Sequence, residues 1–559
     1  MQHSAERTGC EPGSVGSPTT CPADAIHRPP HVVHPVDTFI QRVEGSGSRG
    51  VYDTTVLVED PNLRRHGQPV LSSSRIRVIG AIAAVVAVLI ALQIYASTQA
   101  TLGPLESLWN DYAGTPKSMT LPWAGLLLTM IGLPWRRRFV ALGAALTIDA
   151  LYAVPRFLLT GTIAVGNGPI IVLTGIVVLA CMRWTGVERR NALYAAALGA
   201  LLILATKVGD IWLGVTIHTQ PMVLDEYVML ADHALGQPSW HVGRLLEVLG
   251  PQVVWVLHWV YIELPAAAAV VAVWQLRRVV TSGRWPDHFL VRTFLVLGLV
   301  GPLFYVLFPV VGPMFAFGPD GGGAQLGNFW PTLLPPTDLA PGPMYFDGGP
   351  PRNCMPSMHT AWALAVFLHT RRDVDGGPAP RWLRIVGSFW LICTLAATLG
   401  FGYHYGADLV AGAVLCLTVD SALRDPARGW GWFRIRLVAG GGVLFGALLV
   451  AYRYLAVPMA EYPVYAGLLV LGSLAALSLT FYTTWFAPQR VLAPMATTRV
   501  TPAGAVRGQL AVRRTDLLAC LDIPWIARIR ARLDAPGRTE VNPLTTRVSP
   551  GVDTRPEDN

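Results

Sequence analysis

Apolar residues in this chain are gathered into long blocks, without the period-2 alternation of a half-buried strand. Twelve such blocks stand out, near residues 78–97, 119–135, 139–159, 162–182, 191–216, 252–276, 289–311, 357–370, 384–402, 404–423, 437–456 and 463–486. Blocks approaching about 20 residues match the length a helix needs to cross a bilayer, where every backbone polar group must be satisfied within the segment. The pattern predicts an all-α polytopic membrane protein with about 12 transmembrane helices, the eighth of them short and either tilted or re-entrant. Residues 1–74 are polar and rich in Gly, Pro, Ser and Thr, with no apolar stretch near Met1, and read as a disordered tail rather than a cleaved signal. Residues 487–559 read similarly. Within them, Leu517 to Leu533 carries Arg528, Arg530 and Arg532 among apolar positions, as either a helix lying on an anionic leaflet or a short solvated one.

Composition agrees: 52% of residues are hydrophobic and 14% charged. The arginines add orientation, because positive residues beside a span are retained in the cytoplasm. Arg75/Arg77, Arg136 to Arg138, Arg183/Arg189/Arg190, Arg277/Arg278/Arg284, Arg371/Arg372/Arg381/Arg384 and Arg424/Arg428/Arg434/Arg436 all fall on one side of a twelve-span path. Both termini are therefore expected in the cytoplasm and the 312–356 loop outside, in a multi-pass protein of the cell (plasma) membrane. The net charge of +8 is accounted for by these loops and calls for no nucleic-acid partner. Seven cysteines, without CxxC spacing, imply neither a disulfide framework nor a zinc site. Cys354, on the expected outer side, is read as packing.

Chemistry concentrates in two places. Pro356 and Ser357 precede an apolar run, so a helix is expected to start there with Ser357 near its cap, and a helix start attracts phosphate. His359 sits in its first turn. His404 and Asp408, 45 residues further on, are four apart at the start of the tenth block, on one helical face. A carboxylate there fixes the tautomer of the imidazole and leaves its other nitrogen free to attack phosphorus. In this reading His404 is the nucleophile, His359 the general acid and then base, and no metal or cofactor takes part. A single histidine at a membrane boundary is usually only amphipathic; three ionisable groups at matching depth on two helices point to function.

These residues resemble the type 2 phosphatidic acid phosphatase superfamily. Its second motif, Pro-Ser-Gly-His, is matched by Pro356-Ser357-Met358-His359 with methionine for glycine, and the end of its third by His404 and Asp408. The third motif's Ser-Arg pair is replaced by Ala397-Thr398, which is similar to the inositolphosphotransferase or inositol phosphorylceramide synthase branch. The first motif, a lysine followed by Arg-Pro, has no counterpart. The resemblance covers residues 191–425 as a six-helix catalytic core (helices 5–10), leaving 75–190 (helices 1–4) and 426–486 (helices 11–12) as accessory. With the motif arginine missing, Arg352 is the expected phosphate clamp, and Ser357 and Tyr403 complete the expected substrate-binding set.

Lys207 with Asp210, and Asp149 with Arg156, share helical faces and read as ion pairs holding helices together or as a polar groove for a sugar or inositol. Glu263 and Tyr305 also fall in spans. The loop from Gly312 to Pro351 is expected to cover the site; its Asp320, Asp338 and Asp347 lack metal-ligand spacing. The expected activity is lipid phosphotransfer through a phosphohistidine, on a membrane phospholipid or polyprenyl phosphate with an inositol or sugar alcohol as possible acceptor. A phosphatase of the same superfamily is the alternative. A transporter or flippase, or an inactive scaffold, are the readings from other classes.

Overall fold

The computed structural model describes residues 73–99, 101–319, 329–346, 349–374 and 376–486. The Leu517 to Leu533 segment, Asp320 and Asp347 lie outside them. The first part of the described chain is helical throughout: α1 (Ser73–Thr98), α2 (Pro104–Ala113), α3 (Thr120–Ile131), α4 (Trp135–Thr160), α5 (Asn167–Met182) and the long α6 (Gly186–Thr219). Then come β1 (Met222–Val223), α7 (Asp225–Ala231), a 3-10 turn over Asp232–Leu235, α8 (Pro238–Leu249), α9 (Pro251–Ile262), α10 (Leu264–Leu276), α11 (Val279–Ser282), α12 (Leu290–Leu307), α13 (Pro313–Phe317) and β2 (Met344–Tyr345). The last part holds α14 (Met358–His369), α15 (Arg381–Gly400), α16 (Gly406–Leu423), α17 (Trp432–Tyr454), α18 (Ala456–Glu461) and α19 (Pro463–Trp485).

Each of the twelve apolar blocks is helical. Among the described residues, nine helices are long and apolar enough to cross a membrane. The other three blocks give α3, α5 and α14, with 12, 16 and 12 residues. The expected sixth span is divided between α9 and α10, because Pro265 has no N–H to donate and its ring would collide with the carbonyl one turn earlier. α4 ends at Gly161, whose φ of 69° is open to glycine at little cost.

The outer helices turn apolar side chains away from the protein. Leu158, Leu159 and Ile94 are exposed, and only 11% of the apolar window of α1 and of α4 is buried. A surface of that kind suits lipid, and the chain is a multi-pass membrane protein. The interior is the reverse: 67% of α16 is buried, and this helix packs against α12, α14, α17 and α19. Its small residues permit this, above all Gly412, where an added Cβ would stand 2.3 Å from the carbonyl oxygen of Ser357.

Charges inside the helices find partners other than those expected. Lys207 pairs with Asp111 of α2 at 2.5 Å, nearly fully buried, while Asp210 pairs with Lys117 at 2.8 Å. Asp149 accepts N–H bonds from Gly166 (3.0 Å), Gly168 (2.7 Å) and the Trp123 indole (3.2 Å), and Arg156 donates to the carbonyls of Ala164 and Gly114. Glu263 accepts the hydroxyl of Thr120 at 2.8 Å. These groups tie helix ends and connecting turns of α2 to α6 and α9, satisfying charges that would be costly to leave unpaired in an apolar bundle. The 312–356 loop is anchored as well: β2 pairs antiparallel with β1, and Asp338 is exposed.

Gly412→Ala is expected to lower the stability of the purified protein by about 1–3 kcal/mol, the usual cost of overpacking. Gly442→Ala on α17, where an added Cβ meets nothing within 4 Å, is expected to be neutral or mildly stabilising. Thermal unfolding in detergent compares the two; equal melting points would remove the close contact from the account.

Candidate active site

α14 starts where the sequence places it. Ser357 is the N-cap: its Oγ accepts from the Thr360 N–H at 3.4 Å and from the Thr360 hydroxyl at 3.0 Å. Its own N–H donates to the carbonyl of Asp408 at 3.1 Å, so the first turn of α14 is joined by backbone to the first turn of α16. Met358, standing where the resembling motif has glycine, lays its sulfur over Gly301 of α12, where an added Cβ would come within 2.1 Å of it. A bulkier motif residue is thus matched by a missing side chain opposite.

His404 and Asp408 do come together, though not as neighbours on one helical face. α16 begins at Gly406, after an extended N-cap at Tyr405, so His404 lies outside the helix. Asp408 turns back to cap the helix, accepting the Tyr405 N–H on Oδ2 at 2.7 Å. That turn brings Oδ2 to 3.5 Å from His404 Nδ1, too far for a direct hydrogen bond. Cys354 fills the gap: its Sγ lies 2.7 Å from Asp408 Oδ2 and 3.3 Å from His404 Nδ1. Sequence reasoning treated this buried thiol as packing, and only its closeness to the Ser357 motif signalled otherwise. The backbone holds the group in place, with Cys354 N–H donating to Val310 at 3.0 Å and His404 N–H to Thr398 at 3.2 Å.

His359 stacks on Tyr261 of α9, ring centroids 3.9 Å apart at 19°, and Tyr261 lies 5.3 Å from Tyr403. Tyr403 in turn stacks on Phe315 at 6.2 Å. Among the described residues no protein hydrogen bond engages a ring nitrogen of His359 or the Nε2 of His404. The aromatic wall made by Tyr261 and Tyr403 therefore carries His359 and ends one residue before His404 in the chain. The hydroxyl of Thr398, at the motif arginine's position, bonds among the described residues only into its own helix, to Thr394 O at 2.8 Å and Leu395 O at 2.9 Å. Arg352 departs from the expected clamp. It is buried, and its guanidinium donates to the carbonyls of Gln220 (2.9 Å), Pro350 (2.7 Å) and Phe346 (2.7 Å), fastening its loop to the end of α6.

Two carboxylates outside the spans shape the same end of the bundle. Asp225 accepts from Val311 N–H (3.1 Å), Gly312 N–H (2.9 Å) and the Tyr405 hydroxyl (2.9 Å). Asp232 accepts the Ala407 N–H at 2.8 Å, and its second oxygen is buried without a partner. Burial pushes Asp225 up to about 6 and Asp232 up to about 7, so near neutral pH both carry less negative charge than free carboxylates would.

A second group of two histidines and a carboxylate, absent from the sequence reading, lies at the opposite end of α14 and α16. Asp420 Oδ1 is 3.1 Å from both His288 Nε2 and His369 Nε2, and its Oδ2 accepts from Arg424 at 2.7 Å. Its ligand atoms are close enough together to hold a metal ion, as are those of Cys354, His404 and Asp408. The hydrogen bonds argue for a different role. Gln275 Oε1 accepts the Leu290 N–H at 2.8 Å, so its Nε2 is the donor to His369 Nδ1 at 3.0 Å. The His369 proton then sits on Nε2, directed at Asp420, and that nitrogen has no lone pair for a metal. This group is a hydrogen-bonded junction of α10, α12, α14 and α16.

Asp232 gives a pH signature. Its folded-state value near 7 exceeds the ordinary 3.8, so between those limits the folded protein holds a proton that the unfolded chain has released. Stability is expected to fall as pH rises from about 4 to 7 and to level off above. Asp232→Asn, which keeps an acceptor for Ala407 and cannot ionise, is expected to flatten that decline; melting curves from pH 4 to 8 that keep the wild-type slope would contradict the assignment.

The comparisons with known proteins divide the chain near the end of α6. Residues 76–215 match a domain of unknown function (DUF5933). No curated protein and no solved structure gives a significant match. Residues 226–420 match the PAP2 superfamily, a family of membrane phosphatases and phosphotransferases, and this stretch holds Cys354, His359, His404 and Asp408.

Proposed function

We propose that this protein is a membrane-embedded phosphotransferase of lipid phosphates that works through a phosphohistidine at His404. The single observation that carries the reading is the backbone bond that ties the start of the helix bearing His359 to Asp408 of the Cys354, His404 and Asp408 group, inside the PAP2-matching stretch. His404 Nδ1–H is directed at the Cys354 sulfur, whose S–H donates to Asp408, leaving the Nε2 lone pair outward. That lone pair attacks phosphorus, the bond from phosphorus to the leaving alcohol oxygen breaks, and His359 delivers a proton to that oxygen. In the second half, an acceptor hydroxyl gives its proton to His359 and attacks phosphorus. The P–N bond breaks and returns its electron pair to His404.

The charge on the transferring oxygens is met without the motif arginine. The first turn of α14 offers its positive end to them, and partial protonation of Asp232 near neutrality lessens repulsion from the acidic surroundings. Arg352 serves as the anchor of the loop in front of the site, Ser357 sets the helix start, and Tyr403 forms part of the wall. Ala397 and Thr398 favour transfer to an inositol or sugar alcohol over transfer to water, and the arginine-flanked loops favour a site on the extracytoplasmic face of the plasma membrane, with both termini in the cytoplasm. Hydrolysis of a lipid or polyprenyl phosphate shares the first half-reaction and is the second reading, supported by the phosphatases of the matching family.

Purified protein given labelled phosphatidylinositol, phosphatidic acid or polyprenyl phosphate, with and without inositol, is expected to release a labelled alcohol and to move the phosphoryl group to the acceptor. Label appearing only as inorganic phosphate would favour the hydrolase. His404→Ala is expected to lower turnover by on the order of 10⁴-fold or more, and His359→Ala by about 10²–10⁴-fold. An unchanged rate in His404→Ala removes the nucleophile. Quenched wild-type protein should retain acid-labile, base-stable phosphate that His404→Ala lacks.

A further inference from the structure

Three donors of different softness meet at the site: the Cys354 thiol, the Nδ1 of His404 and the carboxylate of Asp408. Their separations are 3.3 Å (S to N), 3.5 Å (N to O) and 2.7 Å (S to O). Ligand atoms around a tetrahedral zinc ion with bonds of about 2.0–2.3 Å stand roughly 3.3–3.6 Å apart. Two of the three distances already fit, and the third opens once the thiol proton leaves.

Two independent features point to a cation. Asp408 Oδ1 is buried and has no hydrogen-bond partner among the described residues. Asp225, Asp232 and Asp408, all fully buried, each accept a hydrogen bond from Tyr405 or Ala407 at the start of α16, yet among the described residues no lysine or arginine forms a salt bridge with any of them. Elsewhere in the protein the buried carboxylates Asp111 and Asp420 do have such a partner. The backbone fixes the donors before any ion arrives, through Tyr405 N–H on Asp408, Val310 behind Cys354 and Thr398 behind His404.

We propose that Cys354, His404 and Asp408 form a binding site for a soft divalent cation of the zinc class, and that its occupation silences phosphotransfer. Thiolate and imidazole select zinc over magnesium or calcium. Binding replaces the thiol proton: a sulfur–metal bond forms, the S–H bond breaks and the proton goes to solvent. His404 ligates through Nδ1, so its ring proton moves to Nε2. The nitrogen that would attack phosphorus then carries hydrogen, and no phosphohistidine forms. Because one proton leaves per ion bound, affinity rises with pH.

The silencing rests on the reading of His404 as nucleophile; the binding does not, and the experiment separates them. Chelator-treated full-length protein is titrated with Co²⁺ and the sulfur-to-cobalt charge-transfer band is recorded, then competed with Zn²⁺ and with Mg²⁺. The expected result is a band that Zn²⁺ removes and Mg²⁺ does not, that is absent in Cys354→Ser and weakened at least tenfold in affinity in Asp408→Asn, both checked for folding by melting. A band of equal size in Cys354→Ser would place the cobalt on another cysteine and overturn the site. With binding established, Zn²⁺ is expected to abolish turnover and chelation to restore it. Turnover that persists on the zinc-loaded protein would overturn the silencing while leaving the site.

Discussion

One seam governs the arrangement: the start of α14 rests on α16 through Gly412, close enough for the Ser357 N–H to reach the Asp408 carbonyl at 3.1 Å. A backbone-to-backbone contact is stiffer than one between long side chains, and it sets His359 at a fixed height relative to the Cys354, His404 and Asp408 group. The fit of Met358 over Gly301 locks the same turn from the α12 side. The proposed chemistry needs its two imidazoles held at constant separation, and this seam ties together the two helices at whose starts they lie.

Much of this was legible in the sequence, for a physical reason. Apolar blocks must be helical in lipid because no water is present to satisfy the backbone, so the helices follow from composition alone. The capping role of Ser357 follows equally from local chemistry. What spacing could not convey was tertiary. His404 and Asp408 meet because Asp408 folds back as a cap, not because they share a helical face. Lys207 and Asp210 each prefer a partner from another element, and Arg352 is bound by carbonyls that lie 132, 6 and 2 residues away. Long-range partners leave no trace in a single sequence. Cys354 was missed because a lone thiol has no periodicity to mark it.

The two ends of α14 and α16 offer a comparison. Both present histidine and aspartate, twelve residues apart on α16, or about 18 Å along a helix axis. At one end Asp420 is fully engaged by Arg424, His288 and His369, and Gln275 fixes the proton on His369. At the other, Asp408 keeps an oxygen without a partner and the imidazoles have open nitrogens. Residue types alone do not distinguish the two ends; hydrogen-bond saturation does.

The brevity of α14 has a consequence for the surrounding lipid. Its 12 residues extend about 18 Å, against roughly 30 Å of hydrocarbon in a typical membrane. At least one end of this helix therefore lies below the level of the head groups, within the depth of the hydrocarbon. For the proposed lipid substrate this means that a phosphate reaching that end would do so without its chains ever leaving the oily layer.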